Sequence, residues 1–217
     1  MTAAPQQTEQ TAQSERAAFT TSIRWSLAEL ARWTVEERLA YVVRLVRELQ
    51  RRQGRAGEPE LHQLAYVLQH MAGVPTGYAF ALGSAGAHAP ALDGDLSELE
   101  AVGWLEAGLD RPGAGMRARP TPAAERLLKA HGAASVQYTR QIATAAQLLR
   151  NAPPPRLELL PTAHFLWEAG PALERAALLA QMQALKPHYD AVTLAAAFED
   201  WDHVRRQLAA PEGQNGR

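Results

Sequence analysis

The chain has 217 residues, 47% of them apolar and 21% charged, and its 22 Lys+Arg against 23 Asp+Glu leave a formal net charge of -1. That composition is ordinary for a folded globular protein and excludes a polycation that coats nucleic acid through overall charge. The absence of cysteine excludes disulfide scaffolding, a thiol nucleophile and any thiolate-liganded metal.

Residues 1–22, rich in Thr, Gln, Ala and Ser, have little to bury and are expected to form a disordered or loosely packed tail. They have neither a basic start nor an apolar centre, so no signal peptide is expected, and no apolar run reaches the length of a membrane span. A cytoplasmic location is the corresponding expectation. Residues 23–132 are expected to hold N-terminal helices and a winged-helix-like region. Residues 133–210 follow as a helical C-terminal region packed on it.

Order is expected from Ser26, where Ser26 and Glu29 make a capping box. Thr34 and Glu37 make a second one. It opens a helix with Leu39, Val42, Val43, Val46 and Leu49 on one face and Arg44, Arg47, Arg51 and Arg52 mostly on the other. Glycines 54 and 57 end it. Glu58-Pro59 starts a helix with an apolar face of Leu61, Leu64, Ala65, Leu68 and Met71. Residues 78–82 predict a short strand, and Asp95 with Glu98 predicts the cap of a helix over 96–107. Residues 108–120 fit a β-ribbon, or on propensity alone a loop. Thr121-Pro122 with Glu125 starts the next helix, and Ser135 the one after, which the prolines at 153–155 stop. Pro161 kinks or starts the helix that follows. The chain then predicts a helix ending at Pro187 and a last one over 196–209. The expected class is mainly α: a winged-helix-like core, a small β-ribbon and additional C-terminal helices.

Particular residues sharpen this plan. Leu61, Leu64, Tyr66, Leu68 and Gln69 are followed by Gly73, Pro75, Gly77, Tyr78 and Phe80. Asp95-Leu96, Leu99, Gly103 and Leu105-Glu106 come next, and the runs ending at Leu160 and over 185–189 close the pattern. This set resembles the YwgA-like group of bacterial proteins, related to the antitoxin SocA and to PanA-type domains, over about residues 38–209. The chain departs from the group where Gln63 replaces its lysine and where Ser84–Pro90 replaces its Tyr-Gly-Pro-Tyr-Ser turn. A contact carried by that turn in relatives is not expected here. The resemblance implies no single activity. Its antitoxin-like and adaptor-like members imply a module that grips a partner protein, a toxin being one such partner.

Charge is unevenly spread. Residues 56–110 contain no Lys or Arg and eight acids: Glu58, Glu60, Asp93, Asp95, Glu98, Glu100, Glu106 and Asp110. A helix that reads DNA needs basic or amide side chains, so base reading by the helix at 96–107 is disfavoured. Residues 111–140 reverse the sign to a net +5. Arg111, Arg117 and Arg119 on the ribbon, with Arg44, Arg51 and Arg52 on the first long helix, are the candidate contacts to phosphate or to an acidic partner. Their alternative role is to offset acids within the fold or across a homodimer.

Other constellations are weaker. His62 and His70 are eight residues apart and match no metal-binding spacing. His88, Asp93 and Asp95 converge on one ion only if the loop folds back, and a solvated helix entry is the plainer expectation. No nucleophile elbow and no phosphate loop occur, so no catalytic residue, cofactor or metal is assigned. Trp25 and Trp33, lying before the family-like core, are candidate interface anchors or caps over their own domain. The expected function is a non-enzymatic protein-binding or regulatory module, antitoxin-like or adaptor-like, acting on a protein partner or as a homodimer. The alternative is a DNA-associated transcriptional regulator using the basic wing.

Overall fold

The computed structural model describes residues 33–52, 56–83, 86–108 and 117–209. Among the described residues the fold is mainly α-helical, with two small antiparallel two-stranded sheets. The first half runs α1 (Val35–Arg51), α2 (Glu58–Ala72), β1 (Ala81–Gly83), β2 (Gly86–His88), α3 (Pro90–Ala101), β3 (Leu105–Gly108), β4 (Arg117–Pro120) and α4 (Ala124–His131). A 3-10 segment (Gly132–Tyr138) leads into α5 (Thr139–Leu149), α6 (Pro154–Ala169), α7 (Arg175–Leu185) and α8 (Ala191–Ala209). The expected tail, the Ser26–Glu29 box, Trp25 and Arg111 lie outside the described residues. No helix among the described residues is long and apolar enough to cross a membrane.

The Thr34–Glu37 capping box forms as its sequence predicts: each side chain bonds the other residue's backbone N–H. Burial of α1 goes beyond the single stripe read from spacing. Between Leu39 and Val46 only Arg44 keeps partial exposure, because α3, α4, α5 and β4 all pack around this helix. Helix α2 is buried continuously from Glu60 to His70, polar residues included. It ends where Gly73 takes a left-handed conformation (φ 68°) that a residue with a Cβ adopts only under strain.

Several boundaries differ from the sequence expectation. The strand read at 78–82 is Ala81–Gly83, paired with Gly86–His88. The helix read at 96–107 is α3, which begins six residues earlier because Pro90 occupies its first turn and Ala89 its N-cap. Asp95 is therefore no cap; it sits in mid-helix. Gly103 (φ 70°) ends the turn after α3, the Trp104 N–H bonds the Leu99 carbonyl at 2.8 Å, and Leu105 enters a strand. The ribbon is β3–β4, with Glu106 opposite Arg119 and Gly108 opposite Arg117. Helix α4 starts at Ala124 rather than Thr121, whose hydroxyl instead bonds the Gly103 carbonyl at 2.7 Å. A 3-10 segment precedes α5, and α8 starts at Ala191, where the Asp190 carboxylate accepts from the Thr193 N–H at 2.7 Å.

One core joins these elements, from Leu39 on α1 to Leu208 on α8. Two features fix the hairpin β1–β2 against α6. Pro161 inside α6 has no N–H to offer the Leu157 carbonyl, and Gly86 approaches that carbonyl so closely that a Cβ would lie 2.4 Å from its oxygen. Only glycine fits there. Beside it, the buried Lys186 ammonium lies 2.7 Å from Glu158 Oε1 and donates to the Gly83 carbonyl at 3.1 Å. Tyr189 donates to the other Glu158 oxygen at 2.8 Å.

Candidate functional site

Three elements meet at the open side of the first half. Glu58 and His62 stand one helical turn apart at the start of α2, His88 ends β2, and Asp93 lies in the first turn of α3. Their ligating atoms, two imidazole nitrogens and two carboxylate oxygens, all lie within 4.8 Å of one another. His62 Nε2 is 2.7 Å from Asp93 Oδ1 and His88 Nε2 is 2.7 Å from Asp93 Oδ2. The two imidazoles stack with centroids 4.6 Å apart.

The histidines differ in environment and proton arrangement. The His62 side chain is 3% exposed, that of His88 49%. The backbone N–H of Ala89, a fully buried residue, donates to His62 Nδ1 at 3.1 Å. Nδ1 is thus an acceptor, so the proton of the neutral ring sits on Nε2 and is donated to Asp93. Burial pushes the His62 pKa down, with Asp93 pulling the other way, which keeps the ring neutral near pH 7.

A groove of about 200 Å³ opens alongside. Its apolar surface comes from Leu61, Leu96 and Ala118. Glu58, Asp93 and Glu100 supply carboxylates, and Arg117 stands on the ribbon side. The ribbon is held there by backbone: the Ala118 N–H bonds the Ala56 carbonyl at 3.0 Å, and Gln50 donates to the Ala118 carbonyl at 2.9 Å. Such a place can take up a cation or a basic side chain.

Asp95 points elsewhere. It is 4% exposed, takes a bidentate pair from Arg38 at 2.6 and 2.9 Å, and accepts from the Tyr78 hydroxyl at 2.6 Å. Gln69 in turn holds Tyr78 by both backbone groups, at 2.8 and 2.9 Å. The imagined convergence of His88, Asp93 and Asp95 thus divides: His88 and Asp93 meet, Asp95 does not join them, and His62 and Glu58 do. The sequence signal for this meeting is the one-turn spacing of Glu58 and His62 on α2, which the eight-residue spacing of His62 and His70 does not share.

His70 occupies a different place, a buried aromatic cluster with Tyr66, Phe80, His164 and Trp201. Tyr66 Oη is 3.0 Å from His164 Nδ1, and the His70 and Tyr66 rings stack at 4.5 Å. Burial depresses His70 to about 3 and His164 to about 4, so both rings are neutral and the 3.8 Å approach of His164 to Glu168 is no ion pair at pH 7.

The arginines named from sequence fall in two groups. On α1, Arg44 donates to Thr139 Oγ1 at 3.0 Å and to the Ser135 carbonyl at 3.4 Å. Arg51 and Arg52 both pair with Glu48, and Arg52 reaches Gln147 at 3.0 Å. On the ribbon, Arg117 lines the groove and Arg119 is exposed opposite Glu106. Trp33 packs edge-on against Tyr41 at 5.2 Å and near Tyr138 at 6.1 Å, at the margin of its own core. Gln63 is 1% exposed, and neither of its amide atoms has a hydrogen-bond partner among the described residues. A scan against protein-family models finds no match for the chain, and a search of curated proteins finds none either.

Proposed function

We propose that the protein is a non-enzymatic binding module that docks a basic segment of a partner protein in the groove between α2, α3 and β4. The observation that carries this reading is the lining of that groove. Apolar surface from Leu61, Leu96 and Ala118 lies beside the carboxylates of Glu58, Asp93 and Glu100. An apolar floor with acids at its edge suits a chain segment in which Lys or Arg alternates with small apolar residues, since buried contact supplies affinity and charge supplies selection. The absence of Lys and Arg from residues 56–110 makes that half of the groove uniformly acidic. The resemblance to antitoxin-like and adaptor-like modules agrees with this reading.

The DNA-associated alternative is less well supported. Helix α3 presents Asp93, Glu98 and Glu100 where a recognition helix needs donors, and Arg38, Arg44, Arg47 and Arg52 on α1 bond groups of their own chain. The test is fluorescence anisotropy with short labelled peptides, basic-apolar and acidic-apolar, against the intact chain. Basic peptides should bind, more weakly at high salt, and Leu96→Lys should abolish binding. No binding of basic peptides at millimolar protein sinks the reading. Duplex DNA binding lost in an Arg117→Ala, Arg119→Ala double variant would favour the alternative instead.

A further inference from the structure

We propose that Glu58, His88 and Asp93 form a divalent transition-metal site, with His62 as the residue that positions Asp93 for it. Three separate elements supply these groups, and their ligating atoms come within 4.8 Å of one another. Ligands around a tetrahedral ion lie about 3.3 Å apart, so small side-chain rotations suffice to close the set. One imidazole with two carboxylates is a borderline-hard donor set that suits Zn²⁺ or Mn²⁺ and matches the charge of a dication.

The two histidines take different roles because of their second nitrogens. His88 is half-exposed, so its proton can sit on Nδ1 and leave Nε2 free to bind the ion in place of its hydrogen bond to Asp93 Oδ2. His62 cannot do the same. Its Nδ1 already accepts from the buried Ala89 N–H, and moving the proton there would set two N–H groups against each other. His62 therefore keeps its Nε2 proton and holds Asp93 Oδ1 at 2.7 Å, which leaves Oδ2 aimed at the ion. This is the usual arrangement of an outer-shell donor on a metal-ligating carboxylate. With three protein ligands and an exposed Glu58, the ion keeps at least one position for water or for a partner's side chain. The inference goes beyond the docking reading; because a bound dication would neutralise Glu58 and Asp93, the peptide assay uses the chelator-stripped chain and the metal test uses the ion alone, so either can fail without the other.

The test is calorimetric titration of the intact, untagged and chelator-stripped chain with Zn²⁺, with the visible spectrum of added Co²⁺ as a second readout. One ion per chain is expected. Asp93→Asn and His88→Ala should each weaken binding about 100-fold or more and abolish the Co²⁺ band, whereas His203→Ala, an exposed histidine elsewhere, should change neither. His62→Leu should weaken binding about tenfold. His62→Gln, which keeps a donor for Asp93, should restore it to within about threefold. Circular dichroism of each variant without metal shows that it folds. No binding at millimolar Zn²⁺, or binding untouched by Asp93→Asn and His88→Ala, overturns the site. A His62→Gln loss as deep as that of His88→Ala overturns the division of roles.

Discussion

Asp93 and Asp95 stand two residues apart on one helix, and the structure puts them to opposite uses. A two-residue step turns an α-helix by about 200°, so the two carboxylates leave α3 on different sides. Asp95 faces α1, is 4% exposed, and is held by Arg38 and Tyr78. Asp93 faces the groove with its side chain 36% exposed, between two histidines. A charge that is buried and paired fixes a helix in place; one that is open and partnered by exchangeable protons is free to bind something else. Helical phase decides which of the two a carboxylate becomes.

The sharpest way to break that comparison is to remove each carboxylate in turn and measure urea unfolding. Asp95→Ala leaves the half-buried Arg38 guanidinium and the buried Tyr78 hydroxyl without their acceptor. Breaking a buried pair from one side costs about 3–5 kcal/mol, and that is the expected loss here, toward the lower end because Arg38 is one-quarter exposed. Asp93→Ala should cost far less. Equal losses would show that Asp93 is as structural as its neighbour.

The histidines extend the comparison. His164 titrates near 4 in the folded chain against 6.5 ordinarily, because burial opposes its charged form. Above pH 6.5 it is neutral folded or unfolded and adds no pH dependence. Between 6.5 and 4 the unfolded chain binds a proton that the folded chain refuses, so stability falls with pH, by roughly 3 kcal/mol for this group. His70, depressed to about 3, acts in the same direction. Glu168, which faces the cluster and has its pKa raised by burial, acts in the other and offsets part of the fall. Urea midpoints measured from pH 7 to 4 check this, with His164→Asn as the reference. A flat wild-type profile would refute the buried, neutral description.

A smaller effect is expected on docking. Glu100→Lys reverses one carboxylate at the groove and should weaken binding of a basic peptide about tenfold, or roughly 1.4 kcal/mol, while raising the affinity of an acidic one. Glu106→Lys, on the ribbon opposite Arg119, is the matching change outside the groove and should do neither. Equal losses from both would assign the effect to overall charge rather than to the groove.

Much of the frame was legible in the sequence, and the site much less so. Thr34 with Glu37 marked the start of α1 because a capping box is local chemistry between residues three apart. Tyr66, Gln69, Tyr78 and Asp95, all singled out in the sequence, are members of hydrogen-bonded supports: Tyr66 on His164, Gln69 on Tyr78, and Tyr78 on Asp95. Glu58, His62, His88 and Asp93 come from three separate elements. Their meeting depends on the hairpin folding back beside α2, a contact that no periodicity encodes. The start of α3 lies six residues before Asp95-Leu-Ser-Glu98 suggests, because that run imitates a capping box while Pro90 in the first helical turn marks the true start.

The smallest expected effect is the most discriminating. Asp93→Asn removes a negative charge near Glu58 and yet can keep both hydrogen bonds. Asn Oδ1 accepts from the His62 Nε2–H, and Asn Nδ2 donates to His88 Nε2 once that exposed ring carries its proton on Nδ1. Charge repulsion from Glu58 is relieved while the weaker neutral acceptor loses a little, so stability should change by less than about 1 kcal/mol in either direction. Metal binding should still weaken about 100-fold or more, because a neutral amide is a poor ligand and no longer balances the ion. A carboxylate whose loss is silent in urea and decisive in a metal titration is held in place for its ligand. If Asp93→Asn instead unfolds the chain as readily as Asp95→Ala, the His62–Asp93–His88 contacts are a clamp between β2, α2 and α3, and the contrast between the two aspartates disappears.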